Sequence, residues 1–387
     1  MFNSEPKVKQ SQEPDRIAAI SCRNTGYVRS RSLLYSFEDF AEDMSLATIV
    51  SPSAPYLNRV HSRLVRHIYH YSPAVARVVV LREPGHIGND VRLISCQSLT
   101  ELPLFLPFFD KRESTGKTAC FMEEVWVSDI PRYPLAIELL RACDVIFVGC
   151  HGAVAAVAAA TGKPTFHLPP SVDAMASNPF SGSPKQRSID LYYMGRRQPE
   201  LHAGLSEWSA SSGSFYLYDT AGNAVMADHR EHRRHLTDLI QRSRFFIVAP
   251  GKSAGDGMLA TPQDEVGGRY YEGASCGTIM IGTDNRSTIL QQNFPYDNAV
   301  IPFDGSCERL LELMNSLSKD EAHLDRIRRE GVANALRRHD FAHRWKTILQ
   351  ALGRPEPISL ARKLAQLNQA ADDVMRPARA GAASALA

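Results

Sequence analysis

The sequence predicts an α/β protein built from two Rossmann-like domains, whose parallel sheets face each other across a central cleft. Short apolar runs, many of them β-branched, alternate with stretches of helical periodicity in both halves of the chain. This alternation is typical of parallel sheets that are covered by helices. The length of 387 residues suits two domains better than one. Proline, serine and glycine cluster near residue 175, as they do in linkers between domains.

Composition and charge exclude several classes of protein. With 44% hydrophobic and 22% charged residues, the chain has the composition of an ordinary globular protein. A formal net charge of +2 argues against a dedicated nucleic-acid binder. No apolar run approaches the ~20 residues of a membrane span, so we expect no integral membrane segment. The seven cysteines are scattered and form no Cys-x-x-Cys pair, so we expect reduced thiols in a cytoplasmic protein.

The domain boundaries follow from the same patterns. We expect a disordered, polar lead-in over 1–15, without the apolar core of a signal peptide. The first domain would span 16–170, the linker 171–187 and the second domain 188–350. The remainder, 351–387, would form a helix that returns towards the first domain and then a frayed tail.

Individual elements can be placed within these limits. For the first domain we expect strands at 16–21, 47–50, 76–81, 91–95, 118–127, 144–149 and 165–168, with helices at 33–44, 56–71, 135–143 and 153–161. For the second domain we expect strands at 188–194, 214–218, 245–249 and 278–282, with helices at 198–210, 228–242, 268–276, 307–317 and 319–338.

The most informative segment is 267–282. Its pattern predicts a short helix that carries Arg269 and Glu272, is stopped by Gly277 and is followed by a buried strand. A helix N-terminus presents free N–H groups and a partial positive charge, so it can hold a phosphate. Arg269 can neutralise a diphosphate, and Glu272 can accept two hydrogen bonds from a ribose diol without being a core element. The alternative is an ordinary helix–strand unit with incidental charges.

Two further phosphate contacts are predicted at carboxyl ends of strands in the second half. Gly195 and Arg196 follow its first strand, where a glycine lets the backbone approach a phosphate. Lys252 follows a later strand and can contact a diphosphate or the leaving-group oxygen. The alternatives are a solvated basic turn and a flexible surface lysine. No G-x-G-x-x-G motif follows a first strand and no P-loop is present, which disfavours those two nucleotide-binding folds.

In the first half, His151 follows the last well-defined strand, where it can bind a sugar hydroxyl or act as a base; it can equally face solvent.

Glu123 and Glu124 are the best carboxylates of this half. One of them would be a candidate base in an inverting enzyme, but the pattern favours a half-exposed strand pair. The basic loop after the first strand can meet an acidic acceptor or a diphosphate, or it can be a mobile loop; its candidate residues are Arg23, Asn24, Arg29 and Arg31.

A metal site is disfavoured. His229, His232 and His235 are spaced three apart on a predicted helix, but arginines crowd them and no His-Glu-x-x-His order is present. A solvated or phosphate-facing basic helix is the better interpretation, and we expect no metal and no cofactor.

The second half resembles the GT-B glycosyltransferases of group 1, also found in spore-maturation-type bacterial proteins. The resemblance covers roughly 135–350. It rests on Arg-x-x-Glu-x-x-x-x-Gly before an apolar strand and on four further segments, at 189–197, 228–233, 243–250 and 338–345.

The resemblance implies that the second domain binds a nucleotide diphosphate sugar, with a UDP-sugar as the expected co-substrate. Glu272 would bind the ribose, while Gly195, Arg196, Lys252 and Arg269 would hold the diphosphate. Many retaining members carry two acids with seven residues between them. Here Asp264 precedes Glu272 at that spacing but stands where glutamate is usual, which leaves its role near the sugar hydroxyls open. The catalytic candidates are His151, Asp264 and Lys252.

The implied reaction is metal-independent transfer, with retention, to a small-molecule, glycan or peptide acceptor rather than a nucleic acid. Two rival hypotheses remain: a nucleotide-sugar epimerase or hydrolase on the same fold, and a non-catalytic nucleotide-sugar-binding protein. We also expect the domains to close around the nucleotide by hinging near 170–187.

Overall fold

The computed structural model describes residues 17–23, 29–51, 91–109, 116–183, 185–195, 197–218, 228–249, 263, 265–283 and 287–376. The predictions for 1–15, for the helix at 56–71, for the strand at 76–81 and for the end of the tail lie outside the described residues. So do those for Asn24, Arg196, Lys252 and Asp264, and that for the side chain of Arg29.

The first lobe is built on a parallel sheet with the strand order β2-β1-β3-β4-β5-β6. The strands are β1 Ile17–Ile20, β2 Ala47–Val50, β3 Val91–Cys96, β4 Lys117–Met122, β5 Val145–Val148 and β6 Thr165–His167. Its helices are α1 Ser32–Asp43, α2 Pro134–Arg141 and α3 Val154–Thr161.

The second lobe repeats the architecture with the strand order β11-β10-β9-β7-β8, again parallel throughout the described pairs. After the short helix α4, Ala174–Ser177, its strands are β7 Ile189–Tyr193, β8 Tyr216–Tyr218, β9 Ser243–Val248, β10 Ile279–Thr283 and β11 Ile301–Phe303. Two parallel-sheet α/β lobes confirm the predicted fold class.

The remaining helices follow the sequence signals that start helices. Side chains of Asp228, Ser306, Asp320 and Asp340 each accept a backbone N–H at the first turn of the helix that follows, which satisfies donors that a helix leaves unpaired. These helices are α5 Pro199–Ser212, α6 His229–Gln241, α7 Gly268–Ser275, α8 Thr288–Asn293, α9 Cys307–Leu317, α10 Glu321–Arg338, α11 Phe341–Leu352 and α12 Ile358–Met375.

One strand is shorter than predicted. The strand expected at 118–127 ends at Met122, and a 3₁₀ helix follows at Val127–Arg132. Backbone N–H groups still donate to the β3 side as far as Glu124. Beyond it, side-chain contacts hold the chain: Trp126 Nε1 donates to Glu124 Oε1 over 2.6 Å, and Gln263 Nε2 donates to the carbonyl of Val125 over 3.0 Å. The sequence pattern does not reveal such contacts, and the predicted strand was therefore too long.

The end of the second half packs against the first lobe. Trp345 of α11 stacks on Phe37 of α1, with ring centroids 5.1 Å apart, and its Nε1 donates to the Phe37 carbonyl over 3.2 Å. The helix α12 starts beside the first lobe, where Ser359 Oγ donates to the Met44 carbonyl over 3.4 Å, and then runs along α10. None of the helices that the structure describes has both the length and the apolar character of a membrane span.

The segment between the lobes is held by α11. Arg344 donates from Nε to the carbonyl of Pro169 over 2.8 Å and from Nη2 to that of Pro170 over 3.0 Å. The Asp340 carboxylate accepts from the backbone N–H of Ala174 over 2.9 Å. These contacts fix the first part of the predicted linker, and hinging at 170–187 stays a prediction.

Candidate functional site

A cavity of about 390 Å³ lies between the lobes, at the carboxyl ends of both sheets. Ligands bind at this edge in open parallel sheets. The first lobe lines it with Ser30, Ser32, Leu33, Gln97, Glu123, Glu124, Trp126, Gly149 and Cys150. Pro170 and the second lobe complete the lining with Met194, His232, Arg233, Leu236, Glu265, Val266, Gly267, Gly268, Arg269 and Glu272.

The N-terminus of α7 opens into this cavity. Gly267 is its N-cap residue and forms no side-chain cap hydrogen bond, and both Gly267 and Gly268 line the cavity. Two glycines leave the first backbone N–H groups uncovered by side chains. Together with the helix dipole, they provide a place for an anion.

Glu272 is the best-fixed charge in the cavity. The residue is only 3% exposed, and its two carboxylate oxygens are divided between Arg233 of α6 and Arg269 of α7. Arg269 Nη1 lies 2.5 Å from Oε2. Burial alone would raise the pKa of Glu272, but the two guanidinium groups outweigh it and hold the pKa below its usual value. Glu272 is therefore ionised at neutral pH.

The structure thus brings Arg269 and Glu272 together as lining residues, while their roles on a nucleotide stay predictions. The expectation that Glu272 is not a core element is wrong, because the ion pairs bury its side chain. A carboxylate has about four lone-pair sites. Two described ion pairs therefore leave acceptor capacity for a ribose diol.

Arg233 is a site residue that the sequence did not single out. It lies on α6, 39 positions before Glu272, and its side chain is largely buried against that carboxylate. Its neighbour His232 also lines the cavity, whereas the ring of His229 turns to Asp39 of α1, with Nε2 2.7 Å from the carboxylate. The three histidines therefore do not converge, and no group of metal-ligating side chains occurs among the described residues.

Glu123 and Glu124 also line the cavity. Both are half-buried, as the favoured interpretation expected, but they follow the end of β4 instead of forming part of the strand. Burial, together with the negative charges of Glu101, Glu124 and Glu38, raises the pKa of Glu123 to about 8. A carboxyl group with this pKa is largely protonated at neutral pH and can donate a hydrogen bond.

The arginines after β1 are engaged within the protein. Arg23 forms ion pairs with Glu38 and Asp39 at 2.8 Å and 2.5 Å, and Arg31 forms one with Glu101 at 2.5 Å. These two residues therefore support neither the substrate contact nor the mobile loop that the sequence left open. Instead, they balance buried carboxylates behind the cavity wall.

His151 contributes its backbone rather than its ring to the cleft. Its N–H and that of Gly152 donate to the Glu265 carboxylate of the second lobe, each over 2.8 Å. Its ring is exposed and lies edge-on to His167, 5.1 Å between centroids, outside the cavity lining. A catalytic role for His151 stays a prediction, and Glu265, next to Asp264, is the acid that the structure places here.

Gly195 follows β7 with φ of +87°, in the left-handed region that favours glycine. The turn needs this residue for its conformation, and its contact with a phosphate stays a prediction.

Residues 194–350 match a family described as "Glycosyl transferase-like". An alpha-glucosyltransferase solved with UDP-glucose and DNA containing an abasic site is similar in structure: 14% identity, TM-score 0.56, 88% of this chain and all of that one. Anabaena HepE solved with UDP-glucose gives 11% identity and a TM-score of 0.52, over 88% of this chain and 99% of that one. The fold is that of the GT-B glycosyltransferases. The comparison with curated proteins gave no match.

These matches confirm the resemblance found in the sequence. The family match falls on the second lobe, which carries Arg233, Arg269 and Glu272.

Because the pKa of Glu123 is raised in the folded protein, the free energy of unfolding should depend on pH. Between its usual value of 4.5 and about 8, the folded protein keeps a proton that the unfolded chain has released. The free energy of unfolding therefore falls as pH rises through this window. Glu123→Gln removes this titration. We therefore expect the variant and the wild type to have the same free energy of unfolding at pH 5, and that of the variant to be higher by on the order of 2 kcal/mol at pH 8.

Urea unfolding at both pH values measures the difference. If the difference in free energy of unfolding between Glu123→Gln and the wild type is the same at pH 5 and at pH 8, Glu123 titrates normally.

Proposed function

We propose that the protein is a glycosyltransferase that moves a sugar, a hexose in the simplest case, from a UDP-sugar to an acceptor. The observation that carries this proposal is the ionised Glu272, held between Arg233 and Arg269 beside the open N-terminus of α7. The matched family and the UDP-glucose complexes of the two structural neighbours support the choice of donor.

The donor would lie along the second-lobe wall. Its ribose diol would donate to the remaining lone pairs of Glu272. Its diphosphate would accept from the N–H groups at Gly268 and Arg269 and from those N–H groups of the 37% exposed Arg269 guanidinium that do not face Glu272. Lys252, Gly195 and Arg196 would add contacts to the diphosphate, as the resemblance implies.

Transfer breaks the bond between sugar C1 and the diphosphate oxygen and forms one between C1 and an acceptor oxygen. Negative charge then develops on the leaving diphosphate, where preorganised N–H groups and guanidinium groups stabilise it. These groups can take the place of a metal ion. We propose retention of the anomeric configuration from the spacing of Asp264 and Glu272, with Asp264 near the sugar hydroxyls.

One prediction of this proposed function concerns the ribose contact. Glu272→Gln keeps the shape of the side chain but removes its charge and one acceptor oxygen, so we expect UDP affinity to fall by about 10- to 100-fold. Calorimetric titration with UDP measures the change, and thermal melting confirms that the variant folds. Glu200→Gln, on the exposed face of α5, serves as the matched control. Equal UDP affinity of Glu272→Gln and the wild type would remove Glu272 from the site.

The second prediction concerns metal ions. We expect release of UDP from UDP-glucose to proceed at the same rate with and without EDTA, because side chains and a helix terminus carry the leaving-group charge. The assay also counts free glucose and transferred glucose separately, which distinguishes a transferase from a hydrolase. Activity that EDTA abolishes and Mn²⁺ or Mg²⁺ restores would overturn the metal-independent account.

A further inference from the structure

The two walls of the cavity differ in charge. Its described cationic side chains, Arg233 and Arg269, both come from the second lobe. Each lobe contributes two carboxyl groups, Glu123 and Glu124 from the first and Glu265 and Glu272 from the second, but the described lining residues of the first lobe include no lysine or arginine. Among the described residues, only the second-lobe wall therefore offers positive charge to an anionic donor.

Glu123 lies at the carboxyl end of β4, where the chain of β5 passes closely. A Cβ on Gly149 would come within 2.1 Å of the Glu123 carbonyl oxygen, so the position of this residue is tightly set. No described residue donates a hydrogen bond to its carboxyl group. In its protonated form the group can donate one hydrogen bond and accept others, and its free hydrogen-bonding capacity is available to a bound molecule.

The rest of the first-lobe wall is polar without positive charge. Glu124 is held by Trp126 Nε1, which leaves its second oxygen for another donor. Ser30 Oγ donates to Gln97 Oε1 over 3.0 Å, and this fixes the Gln97 amide. The wall thus combines hydrogen-bond donors and acceptors with the largely buried, apolar ring of Trp126.

We propose that this wall binds an uncharged, hydroxyl-rich acceptor, a carbohydrate, whose hydroxyl groups are held by Glu123 and Glu124. The inference rests on the proposed function. One acceptor oxygen forms the new bond to sugar C1 as the bond from C1 to the diphosphate oxygen breaks, and the hydroxyl proton passes to that diphosphate oxygen. Glu123 donates to or accepts from a neighbouring hydroxyl and thereby orients the reacting one.

An anionic acceptor fits this wall poorly. A phosphate beside Glu124 would meet a like charge and would find no described first-lobe cation to offset it. Like charges in contact repel each other, and the repulsion is stronger where the local dielectric is low. One structural neighbour was solved with DNA, but the carboxyl-lined wall of this chain disfavours a polyanion.

Competition between acceptors tests the proposal. The protein is given UDP-glucose labelled in the sugar and an equimolar pool of neutral oligosaccharides, the same oligosaccharides carrying one phosphate, and a DNA duplex. Mass spectrometry then assigns the label to each product. We expect at least about tenfold more label in the neutral than in the phosphorylated oligosaccharides.

Equal or greater labelling of the phosphorylated sugars or the DNA would overturn the proposal. So would the absence of transfer to every member of the pool while calorimetry shows that UDP-glucose binds. Absence of UDP-glucose binding would instead contradict the proposed function itself.

Two variants connect the preference to the wall. Glu124→Lys reverses the charge, and we expect it to shift the neutral-to-phosphorylated ratio by about tenfold towards the phosphorylated sugar. Glu124→Gln keeps an acceptor for Trp126 and removes only the charge, so its shift should be about threefold in the same direction. Glu138→Lys makes the same change of residue at an exposed position on α2 that is not part of the cavity lining, and it should leave the ratio unchanged. A ratio that moves in neither Glu124 variant would contradict the assignment.

Discussion

The burial of one carboxylate governs the architecture of the cleft. Glu272 can be ionised inside the second lobe only because guanidinium groups from two helices reach it, since an unpaired buried charge would cost several kcal/mol. Arg233 arrives from α6 and Arg269 from α7, so the ion pairs fix the position of α6 relative to the N-terminus of α7. The open helix terminus, the positive charge and the acidic group consequently share one wall of the cavity.

A second set of contacts joins the two lobes. Asp39 of α1 accepts from Arg23 of its own lobe and from His229 and Arg230 of the second lobe. Burial alone would raise the pKa of Asp39, but these three donors together lower it. At another point, Glu265 of the second lobe accepts from the backbone N–H groups of His151 and Gly152, which follow β5. Both contacts depend on side chains that separation of the lobes would return to water, which suits a cleft that excludes water during the proposed transfer.

The sequence predicted what is encoded locally. Alternating strands and helices indicated two parallel-sheet lobes, and Arg269 and Glu272 lie three residues apart on one helix that the resemblance had already marked. Arg233 could not be found in this way, because its contact with Glu272 depends on how α6 packs against α7. Glu265 was passed over for Asp264, since the spacing pattern favoured the latter and gave no hint of the N–H groups after β5. The early end of β4 and the cavity-facing Glu123 likewise depend on tertiary contacts with Trp126 and Gly149.

The central claim is that the wall formed by Arg233, Arg269 and Glu272 binds the nucleotide of a UDP-sugar. A crystal structure of the protein with UDP-glucose tests it most directly. The account predicts ribose hydroxyl oxygens at hydrogen-bond distance, about 2.5–3.0 Å, from the Glu272 carboxylate, with the diphosphate at the N-terminus of α7. A well-ordered nucleotide bound elsewhere, or one in this cavity whose ribose does not contact Glu272, would contradict it.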